Sequence, residues 1–245
     1  MGIFEDLEAE QDRLEKILTG LDEAQWATPS AAAGWTVADV VLHLAQSDEA
    51  AAATATHGTL RGGLDAVAGN TTDERAASAV RNERAGPAET FSRWQRARQA
   101  AMTAMRAADP DRPVQWMVGS VKPATLATTR LAEAWTHGLD IAAPLGADFP
   151  DTARLRHIAW LAHRTLPYAL SLAGLPAVAV RCELVAPDGA EGWRFGPEGA
   201  ESAITGAAGE FCRVAAQRLD PARSGLEASG PHGATALRLV RTYAA

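Results

Sequence analysis

Four segments in the first 147 residues carry apolar side chains at helical spacing, and this repetition restricts the fold more than any other feature. Polar connections separate the segments, so each is expected to bury its apolar face against the others. We therefore predict a four-helix bundle over residues 1–147. The predicted helices cover about residues 3–20, 36–56, 87–108 and 123–142.

Two features mark the connections between these helices. Thr36 and Asp39 have the spacing of a capping box, which favours a helix start at residue 36. Residues 58–72 are rich in glycine and threonine, and residues 108–123 contain three prolines and Trp116. Both stretches are predicted to be loops.

The pattern changes after residue 147. A helix is predicted over 152–174, followed by three short strands, the first two joined by a turn at Asp188 and Gly189. Two further helices close the chain. We therefore predict a small α+β domain over residues 148–245, although the helix over 152–174 could pack on either side of the boundary.

Composition limits the function classes. The formal net charge of −7 argues against binding to nucleic acid or an anionic membrane. The only cysteines, Cys182 and Cys212, form no disulfide framework or Cys-type zinc motif. The acidic start of the chain lacks the features of a signal peptide, and no stretch reaches the ~18 apolar residues of a membrane span. These observations favour the cytoplasm.

One helix carries a pair of possible metal ligands. Glu133 and His137 are four residues apart, so their side chains lie on one helix face and can chelate one ion. Such pairs also occur as solvent-facing or hydrogen-bonded residues without metal. His43 lies within an apolar run of another predicted helix, and a bundle can bring it opposite the pair. Two imidazoles and one carboxylate leave an open position, as in catalytic zinc sites.

The segments "GWTVADVVLHLA" (34–45) and "EAWTHGLD" (133–140) resemble the DinB-like superfamily of metal-binding four-helix bundles. The chain is most similar to the branch that contains mycothiol-dependent maleylpyruvate isomerase, and nearly all of it resembles an actinobacterial metal-binding family. The resemblance implies that His43, Glu133 and His137 bind a divalent metal, with Zn²⁺ suiting this donor set best. It also implies mycothiol as a co-substrate, whose thiolate adds to an electron-poor alkene before rotation and elimination.

Two acidic residues near these ligands have alternative roles. Asp39 either caps its helix or orients the His43 ring. Asp140, three residues after His137, could be a fourth ligand, a hydrogen-bond acceptor, a general base or part of the helix C-terminus. Because a carboxylate near a helix C-terminus opposes the helix dipole, we select Asp140 as a candidate catalytic residue.

Other candidates concern the substrate. Arg213 and Arg218 could pair with an anionic substrate or be surface residues, and we select Arg218 as the candidate. Trp116 could line a pocket or simply pack. Met117 and Val118 replace an aromatic-glycine pattern after this tryptophan in similar proteins, so the substrate is expected to differ.

The remaining histidines and a cysteine are predicted to be structural. His57 lies 14 residues after His43, about 21 Å along a helix, which is too far to bind the same ion. His157 and His163 do not have chelating spacing. Cys212 has no cationic neighbour in sequence that would favour a thiolate.

We therefore consider three functions. The first is a metal-dependent isomerase or transferase that uses a thiol and acts on a small, electrophilic, anionic metabolite. The second is a thiol-independent metalloenzyme of specialised metabolism, in which metal-bound water or carbonyl polarisation carries the chemistry. The third is a non-enzymatic protein that binds an apolar ligand and holds a structural metal.

Overall fold

The computed structural model describes residues 2–59, 69, 71–117 and 119–242. The backbone divides into two compact units, the first ending at Phe149 and the second beginning at Pro150. The first is built mainly of helices, and the second combines helices with a sheet. This architecture confirms the predicted fold class.

Four long helices form the first unit, and each corresponds to a predicted helix. Helix α3 packs along α5, α1 packs along α6, and α3 also contacts α6. Two short helices, α2 (Glu23–Trp26) and α4 (Thr72–Asn82), lie between the long ones in sequence. The long helices are α1 (Ile3–Thr19), α3 (Val37–His57), α5 (Pro87–Ala107) and α6 (Pro123–Leu145).

Local chemistry defines the ends of the two helices that matter most for the site. Thr36 and Asp39 form the predicted capping box at the start of α3, and Gly58, with φ of +77°, ends it in the left-handed conformation. Pro123 occupies the first turn of α6, where its missing N–H costs nothing. Gly146, with φ of +62°, ends α6.

The apolar core of the bundle explains why His43 points inward. His43 is flanked in α3 by Leu42 and Leu44, which are 2 % exposed. The core cluster combines residues of all four long helices with Trp26 of α2. Its buried members are Leu14, Leu18, Trp26, Val37, Val40, Val41, Leu44, Ala45, Trp94, Ala97 and Ile141.

One predicted loop needs correction, and a short helix that follows the other was not predicted. Most of the loop predicted over 58–72 lies outside the described residues, but Thr71 caps α4 by accepting a hydrogen bond from the Glu74 N–H, so a helix begins at the loop's end. The predicted loop over 108–123 contains an antiparallel hairpin of β1 (Val114–Trp116) and β2 (Gly119–Val121). These strands are too short for an alternating pattern to be recognised in sequence.

The second unit contains a four-stranded sheet in the order β4-β3-β5-β6. Strands β3 and β5 are parallel, and the other neighbouring pairs are antiparallel. The first three strands were predicted, whereas β6 was not. The elements of the second unit are α7 (Leu155–Leu172), β3 (Val180–Val185), β4 (Gly192–Phe195), β5 (Ser202–Ala207), α8 (Ala208–Ala215), a 3₁₀ turn (Pro221–Arg223), β6 (Glu227–Ser229) and α9 (Gly230–Leu239).

Within the described part of the chain, every helix is too short or too polar to cross a membrane.

Candidate metal centre

The structure brings together the three residues that the sequence predicts as metal ligands. His43 of α3 lies opposite Glu133 and His137, which occupy successive turns of α6. One ligand atom from each residue lies within 4.8 Å of the other two. The site is largely buried, with the Glu133 side chain the most exposed of the three, at 26 %.

The spacing of the donor atoms suits a divalent ion. Glu133 Oε2 lies 3.4 Å from His43 Nε2 and 3.5 Å from His137 Nε2. Ligands ~2.0–2.1 Å from a tetrahedral Zn²⁺ are about 3.3–3.4 Å apart, so the Glu133 oxygen already has nearly this spacing from each imidazole nitrogen. The residues therefore fit zinc, and three protein donors leave a position for another molecule.

Asp140 fixes the orientation of the His137 ring. The Nδ1–H of His137 donates to Asp140 Oδ2 at 2.9 Å, which leaves Nε2 facing Glu133. Asp140 is 1 % exposed. Although burial disfavours the imidazolium, the hydrogen bonds to Asp140 and Glu133 raise the pKa of His137 to about 9. Of the roles considered for Asp140, the observed contact is that of a hydrogen-bond acceptor for a ligand imidazole.

The other two candidate ligands have different electrostatic environments. Burial alone would raise the pKa of Glu133, but hydrogen bonds from His137 and His43 and the positive charge of Arg130 hold it well below its usual range. Burial lowers the pKa of His43, and the positive charges of His137 and Arg130 add to this effect. A carboxylate and a neutral imidazole are the forms that bind metal.

Trp35 is a part of the site that the sequence analysis missed. Its ring lies 5.0 Å from the His43 ring and 6.1 Å from the His137 ring, nearly parallel to the latter. The buried Nδ1 of His43 has no hydrogen-bond partner among the described residues. The position of Trp35, directly before the Thr36 cap, is the sequence signal that could have identified it.

Asp39 does not orient His43. Its carboxylate accepts the Thr36 N–H in the capping box and forms a two-point ion pair with Arg84, at 2.8 and 2.9 Å. Burial opposes the ionised form, but the contacts with Arg84 and Thr36 lower the pKa of Asp39. His57 is exposed at the far end of α3, as its spacing from His43 predicts.

Arg130 is a second residue that the sequence analysis missed. It precedes Glu133 by three residues in α6 and is only 4 % exposed. Its guanidinium carbon lies 4.9 Å from the centroid of the Trp116 ring, which is also buried. Trp116 therefore packs against a cation rather than standing free in a loop.

Gly138 gives α6 a close contact beside His137. A Cβ atom at Gly138 would lie 2.2 Å from Cζ of Phe149, so only glycine admits the ring at this distance. The Arg13 guanidinium carbon lies 3.5 Å from the centroid of the same ring.

Comparison with known proteins places this site in a family. Residues 7–142, more than half of the chain and the whole of the site, match the family model described as "Mycothiol maleylpyruvate isomerase N-terminal domain". The chain belongs to this family. Membership confirms the resemblance on which the sequence analysis relied.

Relatives and solved structures of the mycothiol maleylpyruvate isomerase family extend the match. Two Mycobacterium tuberculosis proteins, both described as uncharacterized, are 33 % identical to the chain and cover 98 % of it and 94 % of their own length. Two crystal structures of mycothiol-dependent maleylpyruvate isomerase, one of a mutant, have TM-scores of 0.62 and 0.60. At 17 % identity, with 94 % of this chain and 95 % of those chains covered, they show a similar fold.

The other candidates of this family member lie in its second unit. Arg213 of α8 forms a two-point ion pair with Asp151, at 2.6 and 2.9 Å. Arg218 donates from Nη1 to the Ala216 carbonyl at 3.1 Å. The sequence prediction that Arg218 meets an anionic substrate therefore remains a prediction.

The histidines and cysteines of the second unit have structural surroundings. His163 Nε2 donates to the Val180 carbonyl at 2.9 Å, and its ring stacks on Phe195. His157 is half-buried in α7. Both Cys182 and Cys212 are free and buried. Burial raises the pKa of the Cys182 thiol to about 12 and raises that of Cys212 as well, so neither is poised as a thiolate.

Proposed function

We propose that this chain is a divalent-metal-dependent enzyme that uses mycothiol to isomerise a small electrophilic metabolite, or that transfers the intact thiol to such a metabolite. The observation that carries the proposal is the meeting of His43, Glu133 and His137 inside a bundle of this family. The free, buried cysteines support a reducing cytoplasm, where a thiol co-substrate stays reduced.

The proposed roles follow from the contacts of each residue. His43, Glu133 and His137 would hold the ion, which we propose to be zinc. An ion held there lowers the pKa of an approaching thiol and polarises a carbonyl group. Asp140 keeps His137 Nε2 directed at the ion and increases the basicity of the ring as a ligand. Because its carboxylate is engaged in that bond, we propose that Asp140 acts through His137 rather than as a general base.

Trp35 and the burial of the site would protect the thiolate. Trp35 packs against both imidazole rings. A thiolate beside it would be less hydrated and therefore more nucleophilic. We propose that the thiol and the electrophile approach from the exposed side of Glu133.

A cobalt-substituted protein tests the proposal. Mycothiol should add a sulfur-to-cobalt charge-transfer band in the near ultraviolet, whereas S-methylated mycothiol, which has no free thiol, should not. The band should be absent from a His137→Ala variant incubated with the same cobalt. If the cobalt protein binds metal but shows no spectral change with millimolar mycothiol, the thiol mechanism is wrong and a thiol-independent metalloenzyme becomes the better reading. Absence of bound metal would contradict both.

A further inference from the structure

Arg130 is a buried cation without a matching anion. Among the described residues it is the only arginine or lysine that is fully buried. No ion pair involves its guanidinium in that part of the chain, and its buried Nη1 has no hydrogen-bond partner there. An unsatisfied buried donor is costly, and more so when it is charged. Such a group is retained most readily where a bound ligand supplies the missing negatively charged hydrogen-bond acceptor.

The described groups around Arg130 leave its Nη1 atom without a hydrogen-bond partner. Its Nε donates only a long hydrogen bond, of 3.5 Å, to Thr129 Oγ1. The charge of Arg130 also influences Asp48, a buried carboxylate. Asp48, however, accepts its hydrogen bond from Gln11 Nε2, at 3.2 Å. Trp116 lies against the guanidinium and restricts its movement.

The position of Arg130 ties it to the metal centre. On a helix, residues three apart have neighbouring side chains, so Arg130 lies one turn before Glu133 on the same face of α6. Its charge acts on both Glu133 and His43, the donors contributed by the two helices. Arg130 therefore adds a positive charge to the region that Glu133 and His43 line.

We propose that Arg130 is the anion-binding residue of this site and that its guanidinium pairs with a carboxylate of the electrophile. The planar fork of an arginine matches the two oxygens of a carboxylate, and the Trp116 ring holds that fork in place. This inference rests on the proposed function and deepens it, because it names the residue that recognises the negative charge of the substrate.

Binding of maleate, compared with its neutral dimethyl ester, tests the inference. Calorimetric titrations use the wild-type protein, Arg130→Met and the control Arg81→Met, which removes an exposed arginine of α4 in the same unit. Maleate affinity should fall tenfold or more in Arg130→Met and stay unchanged in Arg81→Met. The ester should bind equally to all three. Equal maleate affinity in Arg130→Met and the wild type, or no maleate binding by the wild type, would overturn the inference.

Two further measurements keep the result interpretable. If Arg130→Met does not fold, the guanidinium NMR signal of Arg130, assigned by its loss in Arg130→Lys, should shift with maleate in the wild-type protein. A signal that does not move would contradict the proposal. Metal content is measured on every sample, and the titration is repeated after chelation. Absence of a bound ion then counts against the proposed function, whereas the maleate comparison alone decides the role of Arg130.

Discussion

The Nδ1 atom of His137 lies 2.9 Å from an Asp140 carboxylate oxygen, one turn further along the same helix. This hydrogen bond fixes which ring nitrogen carries the proton and which faces Glu133. A partner of this kind increases the basicity of a ligand imidazole and prevents its rotation. The two side chains therefore act as one unit.

Removing this partner should weaken metal binding without abolishing it. Asp140→Asn keeps an acceptor for Nδ1–H but loses the charge, so we expect about tenfold weaker zinc binding. Asp140→Ala leaves the N–H unpaired and should cost about a hundredfold. Competition with a fluorescent zinc chelator measures both. The control, Asp148→Asn, removes an exposed carboxylate just beyond α6 and should have no effect. Equal affinity in all variants would show that Asp140 does not support the ligand.

The three candidate ligands should account for about one divalent ion per chain. His137→Ala should lose most of it, as measured by elemental analysis, whereas His57→Ala, on an exposed part of α3, should keep it. Because the donors come from two helices, the ion should also stabilise the fold, by ~2.7 kcal/mol at a hundredfold excess over the dissociation constant. Full occupancy in a triple alanine variant of His43, Glu133 and His137 would refute the assignment.

The stability of the metal-free protein should depend on pH through Asp48. Burial raises the pKa of Asp48 to about 7 from an ordinary value of 3.8, although Arg130 opposes the shift. The folded state thus binds this proton more tightly than the unfolded state. The associated stability is present below about pH 4 and is lost as the pH rises through 7.

Asp48→Asn should therefore be more stable than the wild type above pH 7, by up to about 4 kcal/mol, and nearly equal to it at pH 4. Urea unfolding at both pH values, with chelator present, measures the difference. His137 also titrates, but its contribution is the same in both proteins and cancels. A difference that does not change with pH would show that folding does not shift the pKa of Asp48.

The close contact at Gly138 predicts a cost for adding one methyl group. The Phe149 ring cannot withdraw freely, because Arg13 lies on its ring. Gly138→Ala should destabilise the protein by about 1–3 kcal/mol and, since His137 is adjacent, weaken metal binding. Gly192→Ala, where a Cβ meets nothing within 4 Å, is the control. Adding Phe149→Leu should restore part of the loss, and a double variant that is merely additive would exclude the contact as the cause.

The parts of this protein that sequence predicts are those encoded by local pattern. The long helices follow from apolar spacing. The meeting of His43 with Glu133 and His137 was allowed by their spacing, but it was the family resemblance that implied it. Trp35 and Arg130 were missed because their roles depend on which rings and charges tertiary packing brings beside them. The hairpin around Trp116 was missed because its strands are three residues long, and helix α4 because it has few apolar residues to mark its period.

All three candidate ligands belong to α3 and α6, so α1 and α5 contribute none of them. Sequence changes in α3 and α6 and sequence changes in α1 and α5 can therefore have different effects. Changes along α1 and α5 can alter what fits between the helices while the three candidate donors are kept, so a duplicated gene can change its binding preference without losing this set of residues. A bundle arranged like this separates the evolution of selectivity from the evolution of reactivity.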